Sequence, residues 1–370
     1  SCGSPPTWPL LFGLAGRGTR RGRTLGALAL TRTMRRTDAR LLFLLSLLAA
    51  RWGRVRPDGM RLSLPASHEL LAKLIGTRRQ AVTTALSDLR SRGLITILPD
   101  GDWLLSSHPP PSEFPHTTAT QIATSGGVNI GEVNLLHADR GLAGVLSPAQ
   151  LIAAQDHTRV RTQMLAAGSW DPIAPQDSGS DWLGLLVLDG FLSLETSYGP
   201  ESALEIVGPG DLVRPWDDDL DYLSDIANSW RALTPTTVAL LDAEFAAGVA
   251  PWTALTAEIL GRAARRARWL TARLAISQQI HIRDRILYLF ARLASRWGSA
   301  DRSSTIIPVP LTHEQIAKLI GAQRPSVTIA VGELRQQGLL TRLPDRTWCI
   351  PDHDLHPTRP GDELNSAVGG

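Results

Sequence analysis

The residues best suited to chemistry lie on one helical face and its repeat. In SHELLAKLIGTRRQAVTTALSDLRSRGLI, which begins at Ser67, Val82, Leu86 and Leu89 fall three or four apart and form an apolar helical face. Arg79, Gln80, Thr83 and Thr84 then point outward. Arginine and glutamine can make paired hydrogen bonds to planar polar edges, and threonine adds a single donor or acceptor. The same sentence returns from Thr312 as THEQIAKLIGAQRPSVTIAVGELRQQGLL, with Val327, Val331 and Leu334 as its apolar face. Side chains of this kind recognise; they do not make or break bonds. No nucleophile stands at motif spacing from a base, and the sequence has neither a phosphate-cradling glycine loop nor a metal-binding cluster. The expectation is no enzyme, no cofactor and no metal.

Local signals place these faces on a helix-turn-helix. Ser67 and Thr312 occupy helix N-cap positions. Gly76 and Gly321 end the first helix with a residue that tolerates the left-handed turn. The second helix is expected over about 79–92 and 324–337, poised to enter a major groove, and a wing follows in LPDGDWLL or LPDRTWCI. His68 and His313 lie 245 positions apart (313 − 68), as do Trp52 and Trp297, so the register never slips. Residues 16–105 lie on 261–350 without a gap at roughly four identities in ten, the mark of a duplicated domain.

The bulk properties narrow the setting. With 370 residues there is room for two or three domains, and a net charge of only +3 makes any nucleic-acid surface local. Two cysteines, Cys2 and Cys349, are too few for a disulfide framework or a thiolate cluster, and a reducing cytoplasm is expected. The longest apolar run, LLFLLSLLAA from Leu41, is about half of what a bilayer requires and reads as a buried helix. Residues 138–250 hold strand-like runs (GLLVLDGFLSLETS, ALEIVGPGDLV, TTVALLD) that suggest an antiparallel barrel or roll. Leu255, Ile259, Ala263, Ala267, Leu270 and Leu274 form a stripe suited to pairing with another helix, expected to be helix 10–36. Gly18 and Gly22 stand where copy two has Ala263 and Ala267, and read as a weakness of that pairing. The arginine runs near Arg20 and Arg265 read as solvated flanks, and Trp52 and Trp297 as core.

Taken together, LTHEQIAKLIGAQRPSV, its first copy, and the roll segments VLDGFLSL and EIVGPGDLV resemble the Crp/Fnr family of bacterial transcription regulators. The resemblance implies an α+β fold: two winged helix-turn-helix domains flanking a cyclic-nucleotide-binding-like antiparallel β-roll, with long dimerisation-type helices. It divides the chain into a dimerisation-type helix (1–37), a first winged domain (38–105), a linker (106–137), the roll (138–250), a dimerisation helix (251–282), a second winged domain (283–351) and a tail (352–370). The implied DNA contacts are Ser67, His68, Arg78, Arg79, Gln80, Thr83 and Thr84, and in copy two Thr312, His313, Gln323, Arg324, Ser326 and Thr328. Arg79 and Arg324 match the family's guanine-reading arginine. The acidic reader that follows it is replaced by Gln80 and Pro325, and a second basic reader four positions later by Thr84 and Ile329, so the usual target sequence does not carry over.

The implied partners are double-stranded DNA and RNA polymerase, with no membrane, and either a homodimer or an intramolecular pseudo-dimer. Family members that bind cyclic nucleotides carry a glutamate and an arginine after the Gly-Asp-Leu turn. Here GPGDL leads into VRPWDDDLDYL, whose aspartates at 217, 218, 219 and 221 repel phosphate, and neither Arg214 nor Arg231 has the right spacing. The aspartates read as a solvated acidic loop in preference to a cation site. An interaction protein with vestigial winged helices is the competing reading. Copy one begins without a roll of its own and the chain starts at Ser1, so both a longer tandem protein and a lost first roll stay open.

Overall fold

The computed structural model describes residues 8–106, 129–172, 182–217, 226–301 and 303–351. They form two compact units, divided after Ala272. Cys2, the tail 352–370 and Asp218, Asp219 and Asp221 lie outside the described residues.

The first unit opens with α1 (Trp8–Thr33) and α2 (Thr37–Trp52). A first helix-turn-helix follows, made of β1 (Arg54–Arg56), β2 (Gly59–Leu62), α3 (His68–Ile75), α4 (Arg79–Ser91), β3 (Ile95–Ile97) and β4 (Trp103–Ser106). Its antiparallel sheet has the order β1-β2-β4-β3. Leu41, Leu44 and Leu45 of α2 share one core with Leu71 and Ile75 of α3, Val82, Leu86 and Leu89 of α4, and Trp103 of the wing. The run expected to be a buried helix is therefore the base on which the helix-turn-helix stands.

The roll comprises β5 (Asn129–Asn134), α5 (Leu135–Ala138), α6 (Arg140–Ala143), α7 (Pro148–Ala154), β6 (Arg159–Leu165), β7 (Gly168–Trp170), β8 (Gly184–Asp189), β9 (Leu192–Tyr198), β10 (Glu201–Val207), β11 (Leu212–Val213), β12 (Ile226–Ala232) and β13 (Thr236–Leu241). It is closed by α8 (Ala243–Val249) and α9 (Thr253–Ile276). Two antiparallel sheets, β10-β9-β12-β7 and β11-β8-β13-β6-β5, enclose a core of Leu185, Val187, Leu194, Val207 and Trp230. The roll also begins earlier than composition suggests. β5 and α5 fall inside the segment expected to be linker, and β5 pairs with β6 from Asn129 to Asn134. A strand at the edge of a sheet needs few apolar residues, so its polar sequence hid it.

Three other expectations are corrected. The stripe on α9 is buried except for half-buried Leu274, but Leu255, Ile259 and Ala263 enter the core of the roll together with Ala15 of α1, so the helix packs on the roll as well as on another helix. The arginine runs are not wholly solvated. Arg23, 7% exposed, donates to the carbonyl of Arg214, and Arg266, 3% exposed, pairs with buried Glu205 through Nε–Oε1 at 2.6 Å and Nη2–Oε2 at 2.9 Å. Trp52 is 60% exposed beneath the Arg51 guanidinium, and Trp297 is half-buried with Arg296 at 4.4 Å. Each indole sits at the last turn of its helix, beyond the reach of the core.

The glycines of α1 also have a different role from the one their helix propensity suggests. A Cβ at Gly18 would lie 2.8 Å from the Ala263 Cβ, and one at Gly22 3.5 Å from Arg266 Nη1. At Gly18 the lack of a side chain is what lets α1 approach α9 so closely, whereas at Gly22 a Cβ would meet only ordinary contact.

The second unit repeats the winged fold: α10 (Ile282–Trp297), β14 (Ser299–Asp301), β15 (Ser304–Ile307), α11 (His313–Ile320), α12 (Arg324–Gln336), β16 (Thr341–Arg342) and β17 (Trp348–Pro351). Its sheet order, β14-β15-β17-β16, matches the first.

Alanine at Gly18 should therefore destabilise the chain by about 1–3 kcal/mol through overpacking, against the sign of its helix propensity. Alanine at Gly13, which has nothing within 4 Å of its Cβ position, should stabilise α1 by up to about 1 kcal/mol. Urea unfolding of both variants checks this, and equal effects would refute the close approach.

Candidate nucleic-acid interface

Each helix-turn-helix is built by the same local devices. Ser67 caps α3 by accepting from Leu70 N at 3.1 Å, and Gly76 ends the helix at φ 66°. Thr312 caps α11 in a full capping box with Gln315, and Gly321 ends it at φ 65°. An arginine closes the carbonyl end in both copies, from unmatched positions: Arg32 donates to Leu74 O at 3.4 Å, and Arg285 to Gly321 O at 3.3 Å. Neither arginine was among the residues singled out from the sequence. The wing indole anchors the approach to the first helix, with Trp103 Nε1 donating to Leu64 O and Trp348 Nε1 to Leu311 O.

The outward residues sit where the periodicity predicts. On α4, Val82, Ala85, Leu86 and Leu89 are buried, whereas Arg78, Arg79, Gln80, Thr83 and Thr84 are exposed at its first turns. On α12, Val327, Ala330, Val331 and Leu334 are buried, and Gln323, Arg324, Pro325, Thr328 and Ile329 are exposed. Ser326 is half-buried and borders an open groove with Ile280, Leu287 and Ile329. Thr83 and Thr84 donate back to Arg79 O and Gln80 O, both at 3.2 Å, so part of their hydrogen-bonding capacity is used within the helix. His68 and His313 are half-buried, each with Nδ1 beside the recognition-helix threonine: 3.0 Å to Thr83 and 3.1 Å to Thr328. Burial, followed by Arg342, Arg324 and Arg335, holds the His313 ring below the ordinary histidine pKa.

A Crp-like helix-turn-helix domain model matches residues 39–105 and again 284–355. Both segments are Crp-like helix-turn-helix domains. The resemblance to Crp/Fnr regulators stated from the sequence is borne out, and so is the duplication. Over 59 residues the chain is 41% identical to a global nitrogen regulator of Synechocystis sp., a match covering 16% of this chain and 26% of that protein. The chain thus spans about a quarter of the length of that curated relative. Among solved structures, a CooA mutant from Carboxydothermus hydrogenoformans is 17% identical at a TM-score of 0.41, covering 61% of this chain and 96% of that one. A CRP/FNR family transcriptional regulator from Thermus thermophilus is 16% identical at 0.38, covering 52% and 93%.

One residue of the second Crp-like domain escaped the sequence reading. Arg346 at the wing tip is exposed and has φ 70°, the only non-glycine with a positive φ among the described residues. The first copy has Gly101 at the matching position, at φ 88°. An arginine held in a conformation that glycine adopts freely is strained, and strain of this kind gathers at functional sites. The signal lay in the alignment of the two copies, where a turn glycine is replaced by the largest cation. Arg346→Gly should raise the stability of the second domain by about 1 kcal/mol while weakening its hold on DNA. Unfolding and DNA titrations of that variant test both halves, and unchanged DNA affinity would make the strain purely structural.

Proposed function

We propose that this Crp/Fnr-type chain is a transcription regulator that reads duplex DNA with α4 and α12. The observation that carries the reading is the first turn of α4, where Arg78, Arg79 and Gln80 stand exposed on a helix whose opposite face is locked in the core. Arginine can address guanine, and glutamine adenine, by paired hydrogen bonds in the major groove. Ser67, His68, Thr312 and His313 sit at helix N-termini, suited to phosphate oxygens. α1 and α9 are proposed to supply within one chain the helix pairing that a homodimer makes between two.

The copies differ as readers. Arg324 is followed by Pro325, and Ile329 is 65% exposed where Thr84 stands in copy one. That apolar face favours, for copy two alone, a second reading as a partly vestigial domain that contacts protein. Selection from a random duplex library decides between them. Arg79→Ala should cost about 1–3 kcal/mol and relax one base pair, whereas Arg324→Ala should cost less and weaken binding evenly. Equal losses, or a perfectly symmetric selected site, would contradict the asymmetry.

The roll is proposed not to take cyclic nucleotides. Arg214, two residues past the Gly-Asp-Leu turn, is 8% exposed, donates to Asp217 at 2.6 Å and also reaches the Trp182 carbonyl. Its Nε and Nη1 are thus already engaged within the protein. Calorimetry of the full chain with cyclic AMP should show no binding heat at micromolar ligand, and a saturable isotherm there would overturn this.

A further inference from the structure

Both copies tie a histidine at the start of the first helix to the same residue of the recognition helix. The distances are 3.0 Å from His68 Nδ1 to Thr83 Oγ1 and 3.1 Å from His313 Nδ1 to Thr328 Oγ1. A threonine hydroxyl has one proton to give. Thr83 donates it to Arg79 O at 3.2 Å, and Thr328 to Arg324 O at 3.1 Å. Thr84 makes the same back-bond to Gln80 O without an imidazole among its partners, so the habit belongs to the helical threonine itself. While that back-bond is kept, Oγ1 accepts from Nδ1–H, which selects the same tautomer in both rings.

The consequence lies at the other ring nitrogen. With the proton on Nδ1, a neutral ring leaves Nε2 as a bare acceptor. No second hydrogen bond reaches either ring among the described residues, and Nε2 is not among the buried unsatisfied atoms, so it faces solvent. A bare Nε2 meets a phosphate oxygen lone pair to lone pair. The protonated ring instead donates a charge-assisted bond to the phosphate and keeps its threonine.

We propose that His68 and His313 contact DNA phosphates only as imidazolium, so that each takes up a proton when the duplex docks. The inference rests on the DNA reading of α4 and α12. Around His313, α12 brings Arg324 and Arg335, and the wing brings Arg342 and the Trp348 ring, 6.4 Å away. The Phe290 ring of α10 meets the same indole, and Glu314 on the histidine's own helix is paired with Lys318 at 3.3 Å. Burial and the three guanidiniums favour the neutral ring in the free protein, and an arriving phosphate reverses that balance. In copy one the matched groups are Arg79 and Arg90 on α4, with Glu69 paired to Lys73 at 2.9 Å and apolar Ile97 at the position of Arg342.

The sign follows from linkage. Docking raises the pKa of a ring that contacts phosphate, so affinity is greatest below the free-ring value and falls as pH rises through the bound value. Each histidine contributes at most about tenfold per pH unit. The test is Kd of the full chain for a selected duplex at fixed ionic strength between about pH 5.5 and 8, beside calorimetry in buffers of different ionisation heat to count protons. Wild type should weaken more than about tenfold across that range and take up protons on binding. His68→Gln/His313→Gln, which places an uncharged amide donor near each Nε2, should flatten both readouts. A pH-independent wild-type Kd without proton uptake overturns the proposal, as does a double variant that keeps the full pH dependence. The wild-type proton count needs no variant to fold. Binding that is absent at every pH overturns the DNA reading beneath it as well.

Discussion

The carboxylate–guanidinium pair of Glu205 and Arg266 is the interaction around which the first unit is arranged. Both side chains are almost wholly enclosed, at 3% and 4% exposure, and meet in a two-pronged bond. Burial works against the Arg266 charge, but Glu205, with Asp211 behind it, outweighs that and holds the guanidinium above its ordinary pKa. A pair of this kind adds little net stability, yet removing one partner strands a buried charge at a cost of about 3–5 kcal/mol. It therefore fixes α9 on β10 more than it strengthens the fold. The same pair dictates what may lie over it. Gly22 of α1 crosses the Arg266 guanidinium and Gly26 lies above Glu205, so α1 runs directly over the pair, and one turn earlier Gly18 leaves no room for a side chain against Ala263. α1 in turn carries α2 to the roll, where Phe43 meets Tyr198 at 5.1 Å between ring centroids. The first recognition domain is thus seated on the roll by a chain of contacts that begins at one ion pair.

What could be read in advance follows the range of the forces involved. The helix-turn-helix was legible because its determinants are local: a cap at Ser67 or Thr312, a left-handed glycine nine residues later, and an apolar spacing of three and four. The burial of Arg266 was not, because its partner lies 61 positions away and an arginine-rich helix looks solvated without it. β5 was hidden for the opposite reason, since an edge strand needs backbone partners more than apolar side chains. The histidine–threonine contact spans only 15 positions and recurs in both copies, yet it needs a tertiary turn to bring its ends together.

Duplication gave the chain two copies of one recognition device, and the copies have since diverged in chemistry more than in shape. Copy one keeps Arg79, Gln80 and Thr84 on its exposed face and a relaxed Gly101 at its wing tip. Copy two has traded three of these for Pro325, Ile329 and a strained Arg346, while its capping box and core are complete. The scaffold tolerates such exchange because the apolar face and the outward face of a helix are independent: Val327, Val331 and Leu334 secure α12 whatever stands opposite. In the proposed reading, copy one carries most of the base discrimination, and copy two contributes backbone affinity or a protein contact.

The most direct test is equilibrium titration of the full chain with duplex DNA at several salt concentrations, wild type beside an Arg79→Ala/Arg324→Ala double variant. The account predicts wild-type binding that falls steeply with salt, by about −0.9 in log K per log salt for each phosphate neutralised, and a large loss of specific affinity in the double variant. A wild-type chain that fails to bind duplex at low salt, or a double variant indistinguishable from it, would contradict the claim that α4 and α12 read DNA.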